Sequence, residues 1–465
     1  MHRNKKEHLL AQIQRFRRRF AQSAGGTLIR VIPKDAVLRW IREEVGPYRE
    51  RLYGPFRTLG LFIEQVLSPD HSCQDAVARG LSARVALGEP PARLDTGGYC
   101  RARARLPLAL PARAAREVGA SLSRTAPQAW RWRGSGGETH RRDHGVDAGY
   151  AAQPAPISAT VLSGPGVWIP ACPARRDRLA QLGGSPSVGV GPGAGKGTGE
   201  MALLWRLKAT FRPADVVIAD RYYTSYFLIS ALLALGVDVV FRQHGGRSTD
   251  FRTGTRLGAR DHLARWERPA RPAWMDEATY AEMPETLCLR EVRIGGYTLV
   301  STFTSPREVH KQELLRLYRN RWHLELDLRS IKAVMQMEVL RCKTPEMVEK
   351  EIAVHFLAYN LVRTVMARAA VMSEQLPRQL SFKGTLQLLN TFETSLRHCP
   401  RGALEERTAA LLHAVAQCRL AYRPNRVEPR LVKRRPHRTR WLQEPRHVWR
   451  TRLRRKQTQR RRQCA

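Results

Sequence analysis

Apolar positions recur at helical spacing through the first third of the chain. Leu9, Ile13 and Phe16 mark one such face, and residues 56–66 another. Ser72 suits an N-cap for a helix over 73 to about 81. Asp95 or Thr96 suits one for a helix near 99–106. From about residue 201 the pattern changes. Residues 201–210 predict a helix, 215–220 a short buried strand, 222–235 a helix and 237–241 a second strand. Residues 242 to about 286 lack periodicity and are rich in Arg and Gly, which predicts irregular chain. Residues 287–292 and 297–303 predict a hairpin across Gly295-Gly296. A long helix is predicted from Ser305-Pro306, with Pro in its first turn, and an apolar one from Pro345 to about Val371. Helices followed by alternating strands and helices predict an α/β class with an α-helical N-terminal domain.

Charge narrows the choice of partner. The 465 residues carry 80 Lys+Arg against 41 Asp+Glu, a net charge of +39. Such an excess attracts a polyanion, DNA first, with ribosomal RNA and an anionic membrane surface as rivals. With 43% hydrophobic residues, the chain also carries enough apolar mass for a folded core. The eight cysteines are scattered with no CxxC pair, which argues against a zinc ribbon and a disulfide framework. The longest apolar stretch, 226–241, is too short for a membrane span, and the basic N-terminus shows no signal peptide. The expectation is a cytoplasmic, nucleoid-associated protein. From Arg423 onward the chain is dense in Arg and predicts a tail that attracts DNA nonspecifically.

The chemistry concentrates in Tyr318-x2-Arg321-x3-Glu325-x6-Lys332. On a single helix, at about 100° per residue, these four side chains share one face. A carboxylate between two cations suits a metal-assisted phosphate site; the bland alternative is a solvated face with an i,i+4 ion pair. Asp220 ends the apolar run VVIA, where open α/β sheets place their sites; its bland alternative is a helix cap.

The phrases GKGTGE, ADRYYTSYFL, VDVVFRQH, the Tyr-Arg-Glu-Lys set and KTPEMVEKEIAVHFLAYNLVR resemble the DDE transposases of the insertion-sequence-four family, from the N-terminal helices to about residue 440. The resemblance implies an RNase H-like catalytic core with a β-rich insertion before the Glu. It implies Asp220 as the second Asp, Glu325 as the Glu, and 242–304 as the insertion. Asp220 and Glu325 would hold metal, two Mg2+ ions in all. Tyr318, Arg321 and Lys332 would contact DNA at transposon ends. The ancestral reaction would be hydrolysis at those ends followed by strand transfer into target DNA, with a homodimer in the synaptic complex. The implied division is a DNA-binding helical domain over 1–130, an anomalous segment over 131–193, the core over 194–380, and C-terminal helices with a basic tail over 381–465.

The first Asp of such a triad, in a phrase like DGTT, is missing. Residues 134–192 instead hold many Gly, Pro, Ala and Arg with little periodicity, unusual inside a compact domain. With suitable codons, residues 137–144 read one nucleotide later give VKLIDGT and can complete a second Thr. Residues 165–170 in the same frame can spell PGCGFP, its second Gly forced by the single codon of Trp168. The hypothesis is that this segment is translated out of frame and the frame returns before GKGTGE, which leaves two of three carboxylates. Asp143 and Asp147 are nearby acids, but neither follows a buried strand.

Rival readings stay open. GPGAGKGT over 191–198 resembles a nucleoside monophosphate kinase loop, with Lys196 on a phosphate, although Val190 stands where the leading Gly belongs. A noncatalytic DNA-binding remnant would need no Mg2+. A ribosome-associated basic protein fits the charge but not the buried acids. His310 and His323 are candidate metal ligands, with a surface or DNA-contact role for His323 the plainer reading. Trp266 and Trp274 are candidates to stack on a flipped base or simply to pack the insertion.

The frame hypothesis is tested by reading the DNA that encodes residues 130–200 in all three frames. An alternate frame spelling the strand and DGTT phrase is expected. Its absence makes the segment native and sinks the idea.

Overall fold

The computed structural model describes residues 29–86, 88–90, 92–127, 130, 215–397 and 399–421, with isolated positions at 167–168, 191–192, 201, 204, 205, 208, 211, 213, 448, 451 and 452. The expected face at Leu9, Ile13 and Phe16, the acids Asp143 and Asp147, and Lys196 lie outside the described residues. Residues 1–141 with 155–421 form one unit; 142–154 with 422–465 form another. In the first unit, Val167–Trp168 pairs antiparallel with Gly191–Pro192.

Five helices open the described chain: α1 Lys34–Glu44, α2 Pro55–Leu67, α3 Cys73–Ala86, α4 Thr96–Arg105 and α5 Ala109–Arg124. Asp95 caps α4, its side chain accepting the Gly97 N–H. At the far end of the unit stand α10 Pro345–Met372, α11 Phe382–Arg397 and α12 Leu404–Gln417. α10 starts where its sequence demands, with Thr344 capping the Met347 N–H and Pro345 in the first turn. These two groups share a core. Leu59, Phe62, Leu110 and Val118 pack in one cluster with Leu357, Leu361, Val365, Leu389 and Leu412. Burial of that apolar surface is the main stabilising term for both groups of helices.

A six-stranded mixed sheet lies between them in sequence: β1 Val216–Ala219, β2 Asp238–Arg242, β3 Thr255–Gly258, β4 Asp261–Glu267, β5 Thr286–Ile294 and β6 Tyr297–Ser301, in the order β1-β2-β6-β5-β4-β3. β1 and β2 are parallel, and the remaining pairs are antiparallel. The connection between the parallel strands is α6 Tyr226–Ala234. Every residue of β1 is buried, as expected of a strand covered on both faces. Val217, Ala219, Val239 and Phe241 face α6, against Phe227, Ile229 and Leu232. Val216, Ile218, Val240 and Leu299 face the other way, against Leu314, Leu317 and Tyr318 of α8 Lys311–Arg319. The hairpin forms as predicted. Ile294 pairs with Tyr297, and Gly295 and Gly296 both take positive φ, +57° and +79°. A two-residue turn with both φ positive favours Gly at each place, and a Cβ on Gly295 would meet Leu315 at 2.9 Å.

Three expectations need correction. Residues 242–286 are not irregular: they hold β3, β4 and the short helix α7 Glu277–Ala281. The helix expected over 222–235 begins only at Tyr226. The Asp220 carboxylate accepts the Tyr222 N–H, a 3₁₀ turn covers Arg221–Tyr223, and Ser225 caps the Leu228 N–H. The single helix expected from Ser305-Pro306 is broken. Pro306 lies in a turn, and α8 starts after His310, which caps the Gln312 N–H. The path then continues as α9 Trp322–Arg329 and a π-helical turn over Ser330–Val334. At the first junction the Asn320 and Arg321 N–H groups bond three residues back, to Leu317 and Tyr318, so the path tightens. At the second, the Ser330 hydroxyl donates back to the Leu326 carbonyl at 2.9 Å, a bond that bends helices.

Within the sheet, Arg290 is fully buried and forks onto Asp261 at 2.8 and 2.6 Å. Arg290→Ala strands a buried carboxylate, and a loss of about 3–5 kcal/mol is expected in urea unfolding. A loss below about 1 kcal/mol would show that the pair is solvated.

Candidate active site

The site follows from strand alternation. Val216 and Ile218 face α8, so the next residue of that parity, Asp220, is placed on the same side at the carboxyl end of β1. Ala219 pairs with Phe241, and one rung further sets Asp220 beside Arg242. Arg242 pairs in turn with Leu299, whose same-face neighbour two residues away is Tyr297. The contacts agree. The Arg242 guanidinium lies over the Tyr297 ring at 5.4 Å, and that ring meets Tyr318 with centroids 5.2 Å apart. Burial pushes the Tyr318 phenol up, Asp220 adds to the rise, and Arg321 and Arg242 oppose it. Asp220, Arg242, Arg321 and Tyr318 therefore share one electrostatic neighbourhood.

Glu325 joins it through Arg321. The two form an i,i+4 ion pair at 2.9 Å, with side chains 24% and 21% exposed. The bland expectation for the signature, an i,i+4 ion pair, is thus realised. Tyr318 is only 4% exposed and forms the floor of the group rather than its surface. Lys332 is half-buried in the π-helical turn. The four signature residues do not ride one regular helix: Tyr318 is on α8, Arg321 at the junction, Glu325 on α9 and Lys332 beyond it.

α9 has no fully buried residue. Its anchor is Asp327, which accepts two hydrogen bonds from Arg378 at 2.7 Å each. A bidentate pair fixes orientation as well as distance, so it sets the height and rotation of the helix that carries Glu325.

Asp220 and Glu325 are oxygen donors of the kind a divalent cation such as Mg2+ takes. Among the described residues no group of three His, Cys, Asp or Glu side chains is placed to hold a metal. His310 is a cap, and the His323 ring is turned inward with its Nδ1 buried and unpartnered. Trp266 is 2% exposed and donates to the buried Glu291 carboxylate at 2.7 Å, so it packs the insertion. Trp274 is 62% exposed and makes edge contacts with Trp205 and Phe227. Sequence reading missed Arg242 and Tyr297, although both follow from alternation once the register is known.

The family described as Transposase DDE domain matches residues 194–361. The chain is also similar to the Transposase InsG for insertion sequence element IS4 of Escherichia coli (strain K12), at 29% identity over 229 residues. That match covers 48% of this chain and 51% of the relative, so it spans about half the relative's length. No solved structure matches the chain.

His323 gives a pH test. Burial, followed by the positive field of Arg378, pushes its imidazole down to about 4 from the ordinary 6.5. Between those values the unfolded chain binds the proton and the folded chain does not. Stability is thus full above about pH 6.5 and falls as pH drops toward 4, by about 1–3 kcal/mol from this group. The Tm of His323→Gln should fall less than that of the parent over this window; equal slopes would remove the assignment.

Proposed function

We propose that the chain is a DNA transposase of the insertion-sequence-four kind that cuts and joins insertion-sequence ends by metal-dependent phosphoryl transfer, a reading supported by the match of residues 194–361 to the Transposase DDE domain and by the likeness to the Escherichia coli relative. The observation that carries this reading is the convergence of Asp220, Arg242, Tyr318, Arg321 and Glu325 from three separate parts of the sequence. Carboxylates at a strand end and on a neighbouring helix, ringed by arginines, suit a phosphodiester and its counterion. The parallel pair β1–β2 followed by antiparallel strands supports an RNase H-like core with the insertion at 242–304. The residues 1–130 would bind DNA, and the charge of +39 supports a nucleoid-associated protein acting on double-stranded DNA. A homodimer would bring two ends together.

In this reading the roles divide by chemistry. Asp220 and Glu325 would hold Mg2+, which when bound activates an attacking hydroxyl and neutralises charge on the phosphate. Arg321 bridges the site in the free protein by pairing with Glu325, and would exchange that carboxylate for a DNA phosphate. Arg242, held over Tyr297, would supply a second phosphate contact. Lys332 would bind the backbone as a point charge. Asp327 and Arg378 would keep Glu325 at its station.

A second reading has support of its own. The sequence lacks the phrase that would carry the first Asp, so this copy would be a DNA-binding remnant, that Asp lost to the frame change over 131–193. Loss of one metal ligand is expected to abolish cleavage while DNA binding persists. The kinase reading has less support, because the match to the transposase domain begins within its loop, at residue 194.

The test uses the chain as it stands and a frame-restored version. The restored chain should cut insertion-sequence ends in Mg2+, and the original should not. Glu325→Gln should abolish cutting by at least ~10³-fold and leave end binding intact. Arg321→Ala or Lys332→Ala should weaken binding roughly 10-fold and flatten its salt dependence. Loss of binding in Glu325→Gln would make Glu325 structural; no cutting by the restored chain would leave the remnant reading.

A further inference from the structure

Away from the sheet, two thiols from different helices stand in contact. Cys73 opens α3 and Cys100 sits within α4, and their Sγ atoms are 3.7 Å apart. Both are free and partly exposed. The Arg103 guanidinium reaches both, its Nη2 lying 3.2 Å from the Cys73 Sγ and 3.9 Å from the Cys100 Sγ. That cation is itself fixed. It donates to Gln65 Oε1 at 3.1 Å and lies over the rings of Phe62 and Tyr99 at 4.9 and 5.0 Å. Gln65 also reaches the Cys73 Sγ, at 3.7 Å. A permanent positive charge beside a thiol favours the thiolate, the form that attacks a disulfide. Burial opposes this at Cys73, raising its thiol, and Arg103 offsets part of that rise.

We propose that Cys73 and Cys100 are a disulfide-forming dithiol, oxidised by a low-molecular-weight disulfide such as oxidised glutathione. One thiol loses its proton, and its sulfur attacks the small disulfide. One small thiolate leaves and the protein carries a mixed disulfide. The second protein thiol loses its proton and displaces the remaining small thiol. The two protein thiols are oxidised together, and the small disulfide is reduced to two thiols. The bond closes α3 onto α4. The sulfurs already touch, and closure shortens their 3.7 Å separation to the bonded length. Cys342 lies in the same neighbourhood, but burial and the Glu351 carboxylate push its thiol up to about 12, so it stays protonated and does not compete.

The reduced full-length protein is incubated with oxidised glutathione, quenched by alkylation and digested for mass spectrometry. A peptide pair linking Cys73 to Cys100, released by dithiothreitol, is the expected result. Cys342→Ser should keep the linked pair, and Cys100→Ser should lose it and hold glutathione on Cys73 instead. Alkylation of both cysteines, glutathione left on either one in the parent, or a different partner for Cys73 would each overturn the proposal. The parent protein alone decides the matter if a variant does not fold.

Discussion

Nearly complete burial of α10 is the constraint on which the rest of the unit depends. A helix enclosed by α2, α5, α11 and α12 leaves the polar side chains of its buried stretch little water, so partners within the protein matter there. Lys350 donates to the Ala104 carbonyl at 2.7 Å and Asn360 to the Ala115 carbonyl at 2.9 Å, which ties the N-terminal helices down. Glu351 accepts the N–H groups of Arg341 and Cys342, which fixes the chain entering α10. Just after α10, Arg378 clasps Asp327, and through it the helix of Glu325 is held. The acidic helix of the candidate site is thereby tied to the crowded helix α10 and the segment that follows it.

The other half of the site is fixed by a different force. The parallel pair β1–β2 is apolar on both faces, and its alternation leaves only the strand ends for polar chemistry. Asp220 and Arg242 occupy those ends, with α8 laid across the same face. Two arrangements, one driven by crowding around α10 and one by sheet packing, meet at Tyr318 and Arg321. Strands β4 and β5 hold a buried polar core of their own, in which Glu291 accepts from Trp266 and lies 3.4 Å from His262. Arg247 stacks on the Trp266 ring at 3.7 Å, so a basic loop is seated on this core.

Much of this was legible in the residues. Pro345 with Thr344, Asp95, and Gly295-Gly296 carry local rules strong enough to place their elements within a residue or two. The apolar runs that became β1, β2 and α10 were equally plain. What escaped depends on geometry no local rule contains. The junction at Asn320-Arg321 holds neither Pro nor Gly, so nothing in its sequence announces that the helix tightens there. β3 and β4 were hidden because polarity does not track exposure along them: Asp261 and His262 are buried and paired, whereas Arg256, Arg265 and Glu267 face water. Arg242 and Tyr297 could be joined only through strand register, which a single sequence does not state.

The Gly295-Gly296 turn also acts as a register lock. At Gly295 any side chain meets both an unfavourable φ and Leu315; at Gly296 the φ alone disfavours one. With the turn held to two residues, β5 and β6 keep one pairing, Ile294 with Tyr297. A one-residue slip would send Tyr297 to the opposite face and leave Arg242 and Tyr318 without the ring that joins them.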